Sequence, residues 1–137
     1  MTPTELRAHL DALPTRWEWT EGVIVATQEP RLLGTLPARV GIVELRGNDE
    51  MSGLTYLGLV SPDLLTAAAL TGQVLATILA AVLPDWPASE RWLAHELEKA
   101  AASRHTTSEV QVRRGGWQIE LRLSKQMSQV RLVMERV

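Results

Sequence analysis

Residues 61–83 have the sequence SPDLLTAAALTGQVLATILAAVL, and this stretch decides the fold. Ser61, Pro62 and Asp63 are three helix-start signals, because serine caps a helix, proline fits its first position and an acid suits its positive end. Apolar side chains then occur almost all around the helix, and Pro84 ends it. A helix that is apolar on nearly every side is typically buried. The sequence therefore predicts a buried central helix against which the rest of the chain packs.

Two strips along this predicted helix have a distinct composition. Small side chains, which let another backbone approach closely, form one strip, and polar side chains form a neighbouring one. The small residues are Ala69, Gly72, Ala76 and Ala80, and the polar ones are Thr66, Gln73 and Thr77. A membrane span is the rival interpretation, since about 20 apolar residues cross a bilayer. Gln73 and the acidic flanks Asp63 and Asp85 argue against a span, so we expect a core helix and no membrane contact.

The composition indicates one domain over residues 1–137. The absence of cysteine excludes disulfide frameworks, thiolate nucleophiles and cysteine-ligated metal sites. The N-terminus carries charges where a signal peptide needs an apolar run, so the expected location is the cytoplasm. Residues 1–102 hold seven basic and thirteen acidic side chains, whereas residues 103–137 hold seven and three. Such asymmetry can mark a nucleic-acid face or a self-complementary assembly, but an excess of this size is more typical of a solvated sheet edge.

The N-terminal segment predicts a short helix followed by a strand. Thr2 and Glu5 form a capping box. Leucines spaced four and three residues apart then give an amphipathic stripe that ends before Pro14. Residues 17–28 change to the alternation of a strand, which a turn at Gly22 could divide into two.

Two strands are expected at the centre of the sheet. Residues 39–46 and 54–60 carry apolar side chains on both faces, which is typical of strands covered on two sides. Residues 29–37 are predicted to be a loop, because prolines bracket them. This loop either folds back onto the core or covers a pocket. Its leucines are candidate interface residues: Leu32, Leu33 and Leu36.

The C-terminal half predicts a helix followed by a β-meander. The helix, over residues 87–103, follows a tight link and is therefore the expected neighbour of the small-residue strip. Gly115 and Gly116 supply the positive φ angles of a two-residue hairpin turn. Residues 117–124 have the cleanest alternation in the chain, and residues 129–137 return as the next strand.

Together these elements predict an α+β domain. The expected order is α-βββ-αα-βββ, with an antiparallel sheet of about six strands and the helices packed mainly on one face. This layout is typical of small α+β proteins that dimerise and hold segments of partner proteins, secretion chaperones among them. No residue pattern points to one family.

Motifs for catalysis and phosphate binding are missing from the sequence. His95 and Glu98 are one helical turn apart, but no second cluster supplies the further ligands that a metal site needs. Trp117 and Arg122 lie on opposite faces of their predicted strand, which separates a stacking aromatic from its cation and argues against nucleic-acid binding. We therefore expect no catalytic residue, no metal and no cofactor.

Three classes of function remain, and a non-enzymatic, chaperone-like homodimer that binds proteins fits best. The two central strands need cover on a second face, and a second copy can supply it, with Trp86 and Trp92 as further candidate interface residues. The alternative is a small-ligand or lipid binder with a cleft between the sheet and the core helix; an enzyme ranks third. The cleft would be lined by Trp17, Trp19, Tyr56, Thr66, Gln73 and Thr77.

Overall fold

The computed structural model describes residues 1–61 and 65–137, so the helix-start signals predicted at Pro62 and Asp63 lie outside the described residues. Within the described residues, one helix precedes four strands, two helices and three strands. The elements are α1 (Pro3–Asp11), β1 (Glu18–Ile24), β2 (Glu29–Thr35), β3 (Gly41–Gly47), β4 (Met51–Leu59), α2 (Leu65–Val82), α3 (Ser89–Ala102), β5 (Thr107–Arg114), β6 (Trp117–Ser124) and β7 (Gln129–Arg136), with a short 3-10 turn at Pro37–Arg39.

The seven described strands form one antiparallel sheet in the order β1-β2-β3-β4-β7-β6-β5. β1 to β4 form one meander and β5 to β7 a second. The meanders join in the middle of the sheet, where Leu54 of β4 lies opposite Met134 of β7. The α+β class and the antiparallel sheet are confirmed, whereas the predicted count of about six strands is one too few.

The additional strand is β2, which occupies most of the segment that was expected to be a loop. Pro30 is compatible with a strand because pairing with β3 begins only at Arg31, so β2 has a single neighbour at the proline. Gly34 lies opposite Trp19, and a Cβ atom at Gly34 would come within 2.6 Å of the indole ring. The proline and the glycine therefore serve strand packing, and β1 runs through Gly22 without a turn.

The core lies between one face of the sheet and the helices. α2 contacts α1, α3 and β4, and α1 begins as predicted, with the Thr2 hydroxyl accepting a hydrogen bond from the Glu5 amide at 3.0 Å. Alternate side chains of the strands point into this core, including Trp117, while Arg122 on the other parity is exposed. Fully buried side chains include Leu45, Leu54, Tyr56, Leu75, Ile78, Leu79, Ile119, Leu132 and Met134.

α2 is not buried on every side, and this prediction is wrong. About two thirds of its residues are not buried, and Leu65 keeps 74% of its surface exposed. The small-residue strip is also not occupied by α3. Beyond the adjacent helix backbone, no described atom lies within 4 Å of a Cβ position built on Gly72, and Ala69 and Ala80 are exposed. An apolar composition does not reveal which side of a helix the same chain covers.

Candidate functional site on the outer face of the central helix

The side of α2 opposite its buried stripe is open to solvent although it carries no charged side chain. We call it the outer face of α2. It consists of Leu65, Thr66, Ala69, Gly72, Gln73, Ala76, Thr77 and Ala80, of which five are exposed and three are half-buried. Both strips that the sequence distinguishes, the small one and the polar one, therefore lie on the same solvent-facing surface.

The outer face of α2 carries no charge, because the sequence of Leu65–Val82 contains no acidic or basic residue. Solvent-facing helix surfaces are normally rich in charged side chains. Depletion of charge is a property of the central part of surfaces that another protein covers. Small side chains also let a second helix approach to about 8 Å between axes. The geometry thus suits helix-on-helix packing.

A polar contact fixes the inner side of α2 to β4. The Thr71 hydroxyl donates a hydrogen bond to the Leu59 carbonyl at 2.7 Å. Burial raises the pKa of the neighbouring Tyr56 to about 12, and the Thr71 hydroxyl only partly opposes that rise. Among the described residues the Tyr56 hydroxyl has no hydrogen-bond partner. Gly41 and Gly58 make room for it, since a Cβ atom on either would lie within 2.8 Å of its oxygen.

Trp17 and Trp19, which were expected to line a ligand cleft, pack beside α1 instead. Their ring centroids are 5.5 Å apart. The Trp17 indole donates to the Leu10 carbonyl at 3.1 Å, and the Trp19 indole donates to a carboxylate oxygen of Asp11 at 2.8 Å. Arg7 lies 5.2 Å from the centroid of Trp19. Both indole N–H groups are used in these contacts, so the pair anchors α1 to the sheet.

The other four predicted ligand residues are divided between core and surface. Tyr56 is fully buried, whereas Thr66 and Gln73 are exposed and Thr77 is half-buried. Core side chains such as Leu75 and Ile78 fill the space between α2 and the sheet. The six predicted residues therefore do not line one cleft, because the expected space is the packed core itself.

An apolar cleft of about 420 Å³ lies elsewhere, between α3 and the ends of β6 and β7. Lys125 supplies a cation beside it, and its ammonium group donates to the carbonyl of Ser103. The sequence gives no local signal for this cleft, since separate elements contribute one or two residues each. Its lining consists of Val60, Leu97, Ala101, Leu123, Ser124, Lys125, Ser128 and Val130.

The predicted interface residues separate into two groups, Leu32, Leu33 and Leu36 in or after β2 and Trp86 and Trp92 around the start of α3. Leu36 is only 2% exposed, and Leu32 and Leu33 point to opposite faces of the sheet. The two tryptophans are half-buried and pack together with their ring centroids 5.2 Å apart. Arg114 lies 4.9 Å from the centroid of Trp86. These residues therefore form no single patch.

The sheet surface turned away from the helices, called here the outer face of the sheet, is a second open surface. It carries an ion-pair network in which Glu44 accepts from Arg46 at 2.8 Å and from Arg31 at 2.9 Å. Burial alone would raise the pKa of Glu44, but these two hydrogen bonds outweigh it and lower the pKa. Half-buried apolar side chains lie between the charges: Leu33, Ile42, Leu57 and Val133.

Metal ligands and membrane-spanning length are two further properties of the described residues. No three His, Asp or Glu side chains among them form a group that could hold a metal ion. α2 is the one described helix that is long and apolar enough to cross a membrane, by length and composition only. No protein-family model, curated protein or solved structure matches the chain.

Proposed function

We propose that the protein is a non-enzymatic, chaperone-like interaction module that binds other proteins and is built from homodimers joined through the outer face of α2. The observation that carries this proposal is an uncharged 18-residue helix of which about two thirds is not buried. Exposed apolar surface costs about 25 cal/mol per Å² in water. A second copy removes that cost for both chains at once.

A second copy fits this surface because two-fold contacts bring each residue near its own equivalent. A charged helix would then meet its own charge and be repelled, whereas α2 has none. The strip through Gly72 and Ala76 allows close approach of the two backbones. The Gln73 amide has both a donor and an acceptor, so it can form a hydrogen bond with its equivalent across the axis.

A stable dimer needs more contact area than the outer face of α2 alone provides. An 18-residue helix is about 27 Å long, and stable interfaces bury about 800 Å² per partner. One helix face is smaller than that. We therefore expect exposed side chains of α1 and α3 to contribute around the edge of the outer face of α2.

Sedimentation velocity at micromolar concentration tests the proposal. The wild type is expected to contain an even number of 15.2 kDa chains. Ala76→Glu places two carboxylates at the centre of the contact and should halve the mass of the assembly. The matched control is Ala26→Glu at an exposed position in the turn between β1 and β2, which should leave the mass unchanged. A wild-type species of 15.2 kDa, or equal behaviour of the two variants, would refute the α2 dimer.

A second candidate function, binding of a small amphipathic ligand or lipid, is favoured by the cleft beside α3. Its volume of about 420 Å³ lies within the usual range for ligand pockets, roughly 300–1,000 Å³, and Lys125 offers a cation for an anionic head group. Calorimetric titration with decanoate tests this function. Leu97→Arg should abolish the binding heat, whereas Val25→Arg, at a position 85% exposed in the turn after β1, should retain it. If the wild type gives no binding heat with decanoate, this second function is refuted.

A further inference from the structure

The two edges of the sheet differ in their protection against further strand pairing. At β1, Glu21 lies on the helix side of the strand, opposite Leu32, and an inward-pointing charge is a known guard of edge strands. β5 has neither proline nor a bulge, and its register with β6 is continuous. The middle of β5 carries Val110 and Val112 on the helix side, with Gln111 between them on the other. The charged residues of β5 are Glu109 and Arg113 on the outer face and Arg114 at its end, so the middle of β5 has no inward-pointing charge.

The hydrogen bonds to β6 show which backbone groups of β5 remain available. The Lys125 amide donates to the Thr106 carbonyl at 2.8 Å, and these two residues continue the β5–β6 register. Backbone groups alternate in direction along a strand. Even-numbered residues therefore point their N–H and C=O groups toward β6, and odd-numbered ones point theirs outward. The outward set is Thr107, Glu109, Gln111 and Arg113. No described strand pairs with β5 on that side.

We propose that β5 pairs antiparallel with β5 of a second copy, with the two-fold axis at Gln111. Gln111 then lies opposite its own equivalent, and Glu109 lies opposite Arg113 of the partner subunit. Because the axis is two-fold, this pair of opposite charges forms twice in the contact. On the helix side, Val110 lies opposite Val112 of the partner subunit. Every outward backbone group from Glu109 to Arg113 gains a hydrogen-bonding partner, and the cross-strand pairs are favourable in charge and in shape.

The charges select this register over its neighbours. An axis at Glu109 or at Arg113 would place like charges directly opposite each other, which is destabilising. An axis at Val110 or at Val112 would leave Glu109 and Arg113 without an opposite charge. Only the axis at Gln111 pairs both charges and uses the outward backbone groups.

The side chains of β5 are already held in positions compatible with this pairing. Arg113 donates from Nε to the Gln118 side chain at 2.8 Å, and Gln111 donates to the Glu109 carboxylate at 3.0 Å. These contacts lie on the outer face of the sheet, the face on which Glu109 would meet Arg113 of the partner subunit.

Because β5 lies at the edge of the sheet, this contact is distinct from the outer face of α2. It does not rest on the proposed function. Where both contacts form, dimers joined through α2 associate further through β5, and the assembly contains at least four chains.

Cysteine crosslinking tests the register directly, since the chain has no native cysteine. Opposed residues of a hydrogen-bonded antiparallel pair have Cα atoms about 5.5 Å apart, within the disulfide range of roughly 4.4–6.8 Å. Gln111→Cys should therefore form covalent dimers under mild oxidation. Glu109→Cys is the matched control, because it lies on the same face of the same strand but about 13 Å from its equivalent. Crosslinking of neither variant, or of both equally, overturns the proposal.

A charge exchange separates this contact from the α2 dimer. In the Ala76→Glu background, Glu109→Arg or Arg113→Glu should reduce the remaining association at least tenfold, and the double exchange should restore it. If Ala76→Glu is monomeric and these exchanges leave its mass unchanged, β5 pairing is overturned and the α2 dimer is retained. If Ala76→Glu has no effect while Glu109→Arg lowers the mass, β5 pairing stands and the α2 dimer is refuted.

Discussion

The outer face of α2 and the outer face of the sheet are both open to solvent, and both carry apolar side chains. They differ in charge. On the sheet, Glu44 lies opposite Leu33 and forms ion pairs with Arg31 and Arg46, whereas α2 has no charge along its entire length. A charge on such a face loses its water when another copy covers it, which is unfavourable unless an opposite charge lies across the contact. An open surface is therefore a candidate interface when it lacks charge, and not merely because it is apolar.

Replacement of Leu75 by alanine should have the largest effect on stability, because this residue lies on the fully buried inner side of α2. A cavity of this kind costs about 2–5 kcal/mol. Leu65→Ala on the outer face of the same helix should change the free energy of unfolding by about 0.5 kcal/mol or less within one chain. Urea unfolding of both variants in the Ala76→Glu background, which removes the proposed α2 contact, measures the difference. Similar losses would remove the distinction between the two sides of α2.

Introduction of one charge on each open surface compares their roles in assembly. Ala76→Glu on α2 should weaken self-association at least tenfold, which is about 1.4 kcal/mol. Ile42→Lys on the outer face of the sheet should leave the dissociation constant unchanged, because that face already carries the ion pairs of Glu44. Sedimentation equilibrium of both variants gives the constants. A larger effect of Ile42→Lys would move the interface to the sheet.

Tyr56→Phe should maintain stability or raise it by up to about 1 kcal/mol. The substitution removes a buried hydroxyl that has no hydrogen-bond partner among the described residues, and an unsatisfied buried polar group is unfavourable. Because the pKa of Tyr56 is raised to about 12, the hydroxyl is neutral at physiological pH. Thermal unfolding at pH 7 is the measurement. A loss above about 1 kcal/mol would show that the hydroxyl has a favourable partner.

The smallest effect is expected at Glu44, whose half-exposed ion pairs are each worth about 0.2–1 kcal/mol. Its pKa is lowered in the folded protein, so its contribution is fully present above the unfolded pKa of about 4.3 and is lost as the pH falls through the folded pKa. Glu44→Gln should therefore destabilise the protein at pH 7 but not at pH 2. A difference that does not depend on pH would contradict this account.

Local patterns predicted the C-terminal meander well. The alternation from Trp117 to Leu123 fixes which side chains are buried, and both Gly115 and Gly116 have the positive φ angles that their turn requires. Such features depend on neighbours in the sequence, because strand periodicity and turn geometry are local properties.

Features that depend on distant partners were predicted less well. Pro30 suggested a loop. It fits β2 nevertheless, because β3 begins to pair with β2 one residue later, which the sequence of β2 alone does not show. The assignment of the small-residue strip through Gly72 to α3 was wrong, since sequence composition does not reveal which side of a helix the same chain covers. The cleft beside α3 was missed because its lining comes from separate elements.

β4 and β7, which join the two meanders, are synthesised at different times. β4 lies in the centre of the sheet, yet its partner β7 begins about 70 residues later. At roughly 5–20 residues per second, a ribosome needs about 4–14 s to synthesise that interval. During this time β4 presents an open edge with Leu54 and Tyr56 uncovered on one flank. Until β7 is made, the N-terminal meander of the nascent chain has an unpaired edge along β4, and such an edge is a template for pairing with another chain.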